Sequence, residues 1–383
     1  MIQEEKTELT EKTELTAGEK VKELQKELTW SFPNIAKEAP SQKEEAFEYC
    51  EAYKAFLDCA KTEREFTQAA VKLLNEAGYA PFEKGRDYKA GDKVYYVNRK
   101  KSLIMTTFGQ REIGAGVRLN VAHIDSPRLD LKPNPMYEKA EMAFFKTHYY
   151  GGIRKYQWAA IPLAMHGVVV KKDGEITDIR IGEEEGDPVF CVTDLLPHLA
   201  ADQNERKLKD GIKGEELNVI IGSLPFTADE DIKEPVKLLA LSVLNEKYGM
   251  TEKDFIRAEI EIVPAFKAVD VGLDRSMVGA YGQDDRVCAY TALTAEMASI
   301  EPEYTTVTVL ADKEEIGSVG NTGLDSDFVL HYIEDLAETA GIDYRTIPRN
   351  SICLSSDVNA AYDPTFSQVY EERHACYIHK GCV

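Results

Sequence analysis

The sequence predicts an α/β protein: a central mixed sheet flanked by helices, interrupted by an inserted β-rich domain. Three observations carry that reading. Strand-like apolar runs alternate with helix-length amphipathic runs toward both ends of the chain. Between them, residues 133–265 change character to short β-like runs separated by Pro, Gly and charged loops. Three strand-like runs end on His, Glu or Asp, and in open α/β sheets ligands gather at the carboxyl ends of strands. At about 150 residues per domain, 383 residues suit two to three domains. A hydrophobic content of 43% supports a sizeable core and excludes a mainly disordered chain.

In order, residues 1–40 form a low-complexity extension in which EKTELT occurs twice, at Glu5–Thr10 and Glu11–Thr16. It is expected to be helical in part and catalytically idle. The α/β domain takes residues 41–132 and 266–383. Ser41–Ala60 and Thr62–Ala77 read as amphipathic helices, with apolar positions Ala46, Tyr49, Tyr53, Phe56 and Leu57, then Phe66, Ala69, Ala70, Leu73 and Leu74. Gly78 stops the second. Lys93–Val97 and Ser102–Phe108 read as a β-hairpin, and Val117–Ala122 as a strand running into His123. In the inserted domain, 133–265, the β-like runs include Gly167–Lys171, Ile176–Ile181, Asn218–Ile221 and Arg257–Ile262. A helix spans Glu234–Lys247, with Pro235 in its first turn, where a missing N–H costs little. Ala201–Glu216 is expected to be partly disordered. Beyond it come a helix over Arg286–Ile300, a strand over Thr305–Leu310 leading to Asp312, Glu314 and Glu315, a helix over Asp327–Thr339 with Gly341 past its end, and a strand over Ser351–Leu354 leading to Asp357.

Lys plus Arg number 46 and Asp plus Glu 67, a formal charge of −21. That balance argues against nucleic acid or an anionic membrane as partner, and it suits metal cations. Seven widely spaced cysteines without a C-x-x-C pair fit a reducing compartment better than a disulfide framework or a cysteine zinc site. With no 18-residue apolar run and no apolar core in the first twenty residues, a cytoplasmic protein is expected.

The chemistry-bearing residues are His123 with Asp125, Asp284 with Asp285, Glu314 with Glu315, and Asp357. All are O or N donors suited to Zn²⁺, Mn²⁺ or Co²⁺. Singly, each piece has an ordinary reading: a strand end, a helix cap, a solvated turn. The spacing joins them. From His123 to Asp284 is 161 residues, from Asp284 to Glu315 is 31, and from Glu315 to Asp357 is 42. The two short gaps each fit one strand–helix step. The long one is where the inserted domain sits, so the ligands converge if that domain leaves and rejoins the core. A carboxylate two residues after His123 can accept its second ring N–H and fix its tautomer. Adjacent Glu314 and Glu315 repel, so a buried pair needs a cation or a shared proton.

Four motifs, NVAHIDSPRLDLKPNP (Asn120–Pro135), GQDDRVCAYTAL (Gly282–Leu293), ADKEEIGS (Ala311–Ser318) and SSDVNAAYDP (Ser355–Pro364), resemble the M18 metalloaminopeptidases, the aspartyl-aminopeptidase family, and most of all its bacterial branch. The resemblance runs from about Ser41 to the end. It implies a zinc-peptidase-like catalytic domain with two divalent ions, usually zinc with cobalt or manganese as alternatives. His123, Asp284 and Asp357 would serve one ion. Asp284 would bridge to the second, held also by Glu315. Glu314 would be the general base that takes the proton of a metal-activated water, with Asp125 orienting His123. The resemblance also implies peptide substrates with acidic N-terminal residues favoured, and a homo-oligomer, dimers building to a dodecamer, assembled through residues 133–265.

Two departures from the family pattern matter. The glycine-rich stretch Tyr150–Trp158 carries Arg154 and Lys155 where the eukaryotic branch has a histidine reaching a neighbouring active site, which puts the acidic preference in question. The family also takes a histidine for its second metal from a motif well beyond the equivalent of Asp357. Here only His374 and His379 follow, the latter in a strand-like HKGCV ending, and Val383 comes twenty-six residues after Asp357. The expectation is a C-terminally truncated member with an incomplete second site, one tight metal and little activity as it stands. Competing readings are another dinuclear metal amidohydrolase and a non-catalytic oligomeric scaffold of the same fold.

Overall fold

The computed structural model describes residues 16–227 and 232–383; apart from Thr16, the EKTELT repeat lies outside them. The helices are α1 (Ala17–Leu28), α2 (Ile35–Glu38), α3 (Lys43–Cys59), α4 (Glu63–Glu76), α5 (Ala201–Asn204), α6 (Pro235–Tyr248), α7 (Gln283–Ala298), α8 (Phe328–Ala340) and α9 (Thr346–Asn350). The strands are β1 (Ala80–Pro81), β2 (Lys93–Asn98), β3 (Ser102–Thr107), β4 (Arg118–His123), β5 (Arg128–Lys139), β6 (Met142–Tyr150), β7 (Leu163–Val170), β8 (Ile176–Ile181), β9 (Cys191–Val192), β10 (Val219–Gly222), β11 (Ala258–Pro264), β12 (Val269–Val271), β13 (Met277–Gly279), β14 (Thr306–Ala311) and β15 (Ile352–Ser355). The chain divides into two units, Met1–Glu48 with Asn359–Val383, and Tyr49–Val358.

In the first unit α1 is exposed throughout and starts with a capping box, in which Thr16 and Glu19 satisfy each other's backbone N–H. The HKGCV ending is not a strand. His379 adopts a left-handed backbone and accepts the Ile35 N–H on its carbonyl at 2.9 Å. Gly381, also left-handed, turns the chain again, and two such turns in three residues leave no extended run.

The second unit holds two large sheets and the β12–β13 ribbon. The six-stranded sheet has the order β1-β2-β3-β14-β4-β15. β2, β3 and β14 pair antiparallel, while β14, β4 and β15 run parallel, so the sheet is mixed and the last three strands share one carboxyl edge. Alternation along its strands separates two cores. Leu103, Met105, Ala122 and Leu310 face α3, α4 and α7, through Phe56, Phe66, Leu74, Tyr290 and Leu293. Ile104, Val307 and Val309 face α8, through Phe328, Tyr332 and Leu336. Covered on both faces, β3 is buried at every residue, and its apolar Leu103, Ile104 and Met105 are consecutive, not alternating with polar residues. Each such aliphatic side chain contributes about 1.5–3 kcal/mol by burial.

The seven-stranded sheet, β8-β7-β11-β5-β6-β10-β9, takes all its strands from Arg128–Pro264, and its core is built around Leu129, Phe145, Met165, Ile179 and Ile262. Its central hairpin, β5–β6, is not visible in the sequence pattern. Pro133 and Pro135 lie inside β5 and read as strand breakers; the ladder accommodates them with a register shift between Leu131 and Met136. Ala201–Glu216, expected to be disordered in part, is ordered in short turns, because Ile212 and Leu217 anchor it in this core. Among the described residues no helix is long and apolar enough to cross a membrane, and all seven cysteines are free thiols.

Candidate metal centre

The parallel register sets the site. Ala311 of β14 pairs with His123 at the end of β4, and Ser355 of β15 with Val121, so the turns after all three strands open on one edge. The β14 turn is a single 3-10 turn, Glu314–Ile316, and Asp357 follows β15 by two residues. Asp284 and Asp285 enter from the start of α7, where both have non-helical dihedrals and a cis peptide joins them. Gly282 before them is left-handed, and a Cβ there would collide with Arg286 Nη1, so this entry requires glycine.

His123, Asp284 and Asp357 each offer one ligand atom, and those atoms lie within 4.8 Å of one another. Among the described residues this is the one such group of three or more His, Cys, Asp or Glu side chains. The His123 ring is 4% exposed. Its Nδ1 faces the Asp125 carbonyl oxygen at 3.0 Å and carboxylate Oδ1 at 3.2 Å, which assigns the proton to Nδ1. Its Nε2 is buried without a hydrogen-bond partner among the described residues. The nearest carboxylate oxygens are Asp284 Oδ1 at 3.3 Å and Glu314 Oε2 at 3.7 Å. A buried imidazole nitrogen without a hydrogen-bond partner, facing carboxylate oxygens, is a donor set that fits a divalent cation in place of a proton, and zinc well.

Asp125, fully buried, does more than orient His123. Its Oδ1 accepts the backbone N–H of Glu314 at 3.1 Å. Its Oδ2 accepts the N–H of Glu315 at 3.2 Å and the Tyr150 hydroxyl at 2.6 Å. The sequence signals only its tie to His123; the link to the Glu314–Glu315 turn and to Tyr150 arises from the fold and has no local signature. Asp285, also fully buried, accepts the His123 N–H at 3.4 Å and so holds the backbone of β4.

The electrostatics follow the geometry. Burial opposes a charged His123, but the Asp125 bond and the surrounding carboxylates outweigh it and hold the imidazole at about 9. Burial also pushes Asp125 up, yet bonds from His123 and Tyr150 keep it below the usual carboxylate range. Burial first, and then the Asp284 charge, raise Glu315 to about 7. Burial raises Asp285 to about 6. The Tyr150 phenol is driven far up by burial and by Asp125, so it remains a donor. A site that holds protons this strongly without a cation is one where a divalent ion competes with protons.

Of the sequence-derived candidates, His123, Asp284 and Asp357 are thus brought together, with Glu314 at their edge and Asp125 behind His123. Glu315 stands on the same turn, outside the three-residue cluster. Arg154 is exposed, with its guanidinium 5.2 Å from the Tyr156 ring, and Lys155 is 5.6 Å from the Tyr149 ring. His374 pairs with Glu371 in the other unit.

The chain is similar to known proteins over most of its length. The family model described as Aminopeptidase I zinc metalloprotease (M18) matches residues 56–383. A Clostridium acetobutylicum protein named "Probable M18 family aminopeptidase 1" is 48% identical over 351 residues, 89% of this chain and 75% of that one. A crystal structure of an M18 aminopeptidase from Thermotoga maritima superimposes with a TM-score of 0.87 at 42% identity, covering 92% of this chain and 78% of that one. A structure described as the S. cerevesiae mApe1 dodecamer shares the fold, with a TM-score of 0.68 at 21% identity, covering 85% of this chain and 75% of that one.

Proposed function

Since the chain belongs to the M18 family of zinc metalloaminopeptidases, hydrolases of peptide bonds, we propose that His123, Asp284 and Asp357 hold its catalytic zinc and that Glu314 is its general base. The single observation that carries this is the His123 Nε2 atom, buried and unpartnered within the three-residue cluster. Bound there, zinc supplies a polarised scissile carbonyl and a water acidic enough to react near neutral pH. Glu314, half-exposed on its turn, takes that water's proton on a carboxylate oxygen and returns it to the leaving amine. Asp125 keeps His123 in the tautomer whose Nε2 is free and fixes the backbone from which Glu314 projects.

In the same reading, Asp284 and Glu315 would hold a second ion, which the crowded Glu315 carboxylate favours. Cobalt or manganese would suit that site's oxygen donors. Residues 41–132 and 266–383 form the catalytic domain. Residues 133–265 form an inserted domain through which copies of the chain assemble, in keeping with a separate sheet drawn mostly from this stretch, although its strand β5 begins five residues earlier, at Arg128. A dodecamer, the form named for the distant yeast relative, is the assembly we propose, in the cytoplasm. Arg154 and Lys155 offer positive charge to acidic peptides.

Two measurements test the proposal together. Zinc counted per purified chain is expected to show at least one tightly held ion; a chain that holds none would refute the metal assignment. Glu314→Gln is expected to lower turnover of aminoacyl-anilide substrates by roughly 10²–10⁴-fold with zinc content and assembly kept. An unchanged rate would remove Glu314 as base.

A further inference from the structure

We propose that Tyr150 is a positioning residue of the metal centre: its hydroxyl fixes the Asp125 carboxylate, which in turn orients His123 and the Glu314–Glu315 turn. The proposal rests on the reading of His123 as a metal ligand.

A carboxylate has about four lone-pair sites, and Asp125 fills them from four directions. Oδ1 takes His123 Nδ1 at 3.2 Å and the Glu314 N–H at 3.1 Å. Oδ2 takes the Glu315 N–H at 3.2 Å and the Tyr150 hydroxyl at 2.6 Å. The tyrosine bond is the shortest of the four. Asp125 is 0% exposed, so water does not replace a donor that is lost. Rotation of the carboxylate would lengthen the contacts to the imidazole and to the turn together, so whatever fixes its plane fixes both.

Tyr150 is itself immobilised. It is the last residue of β6 and pairs with Arg128 of β5. The Arg128 guanidinium lies 3.6 Å from the centre of its ring. That arginine is tied in turn to half-buried Asp130 at 2.9 Å and to the buried Glu261 at 3.5 Å and Glu63 at 3.6 Å. The next residue touches the site again. Gly151 is left-handed, and a Cβ on it would lie 3.1 Å from Glu315 Oε2. The end of one β6 strand, from the seven-stranded sheet, therefore braces a centre whose ligands come from the other sheet and α7.

Tyr150→Phe keeps the ring and its arginine contact and removes only the hydroxyl. The test is zinc affinity of the metal-stripped full chain, measured by competition with a chromophoric chelator and therefore independent of turnover. Loss of the direct outer partner of a metal ligand costs about 10–100-fold in affinity. Y150F acts one bond further out, so a loss of up to about tenfold is expected. The metal-free protein should still unfold cooperatively, at a lower midpoint because a buried carboxylate loses a donor. In a D125N background, adding Y150F should change zinc affinity by less than about twofold, because the group it acts through is gone. Y150F binding zinc as wild type does, or weakening it equally in both backgrounds, would overturn the proposal. A wild-type chain that binds no zinc would instead refute the underlying metal reading, before Tyr150 is touched.

Discussion

Two buried strand histidines make opposite use of the same surroundings. His166 of β7 is 0% exposed, and His123 of β4 is 4% exposed. Both face two or more carboxylates. His166 has a partner for each ring nitrogen: Glu65 meets Nδ1 at 2.8 Å and Glu183 meets Nε2 at 3.0 Å. Lys61 neutralises Glu183 at 2.7 Å, so this cluster is closed and complete within the chain. His123 has a partner for Nδ1 only, and its Nε2 points without a hydrogen bond among carboxylates that are themselves largely exposed. The lesson is that burial and acidic neighbours do not mark a metal ligand. A vacant donor atom within an otherwise satisfied shell does.

The largest expected effect breaks the pair apart. His123→Ala should weaken zinc binding by more than about 100-fold, beyond the cost of losing an outer partner. His166→Gln should leave zinc affinity unchanged, checked by the same chelator competition. If both substitutions weaken zinc alike, the contrast fails. Next, His166→Gln should destabilise the chain by about 3 kcal/mol, the scale of removing one partner from a buried charge pair, read from the urea midpoint.

That loss should depend on pH in a stated direction. Burial opposes charge on His166, but the bonds to Glu183 and Glu65 prevail and raise its pKa above 6.5. A raised pKa stabilises fully below the unfolded value of about 6.5 and is lost as pH climbs through the folded value. The stability difference between wild type and H166Q should therefore be largest below about pH 6.5 and shrink as pH climbs above it. A difference that grows with pH would contradict the charge assignment. The smallest effect concerns the support of the closed cluster. Thr62 caps α4, and the Lys61 and Thr62 N–H groups donate to Glu65. Thr62→Ala should cost about 1 kcal/mol in thermal unfolding and leave zinc binding untouched.

Much of the centre was legible because its residues sit at strand and helix ends that sequence patterns mark. The apolar runs before His123, Glu314 and Asp357 are three parallel strands of one sheet, β14 buried almost throughout, β4 half-buried and β15 an exposed edge. The gaps of 31 and 42 residues hold the helices that link them, α7 in the first and α8 with α9 in the second. What was not legible depends on contacts distant in sequence. Nothing local shows that Tyr150 meets Asp125, since β6 begins beyond two prolines that mask the β5 partner strand. The distinction between the histidines was hidden for the same reason. The glutamates that close His166 come from Glu65 on α4 and from Glu183 just past β8, 101 and 17 residues away. The order of Ala201–Glu216 was missed because two buried residues, Ile212 and Leu217, anchor a segment that is otherwise polar.

The most direct test of the account looks at the atoms around the metal itself. X-ray absorption at the zinc edge, on the full chain loaded with one equivalent of zinc, reports the donors in that shell. A single imidazole among oxygen donors at about 2.0–2.1 Å is predicted, for His123 with Asp284 and Asp357. Two or more imidazoles, sulfur at about 2.3 Å, or no imidazole at all would contradict it.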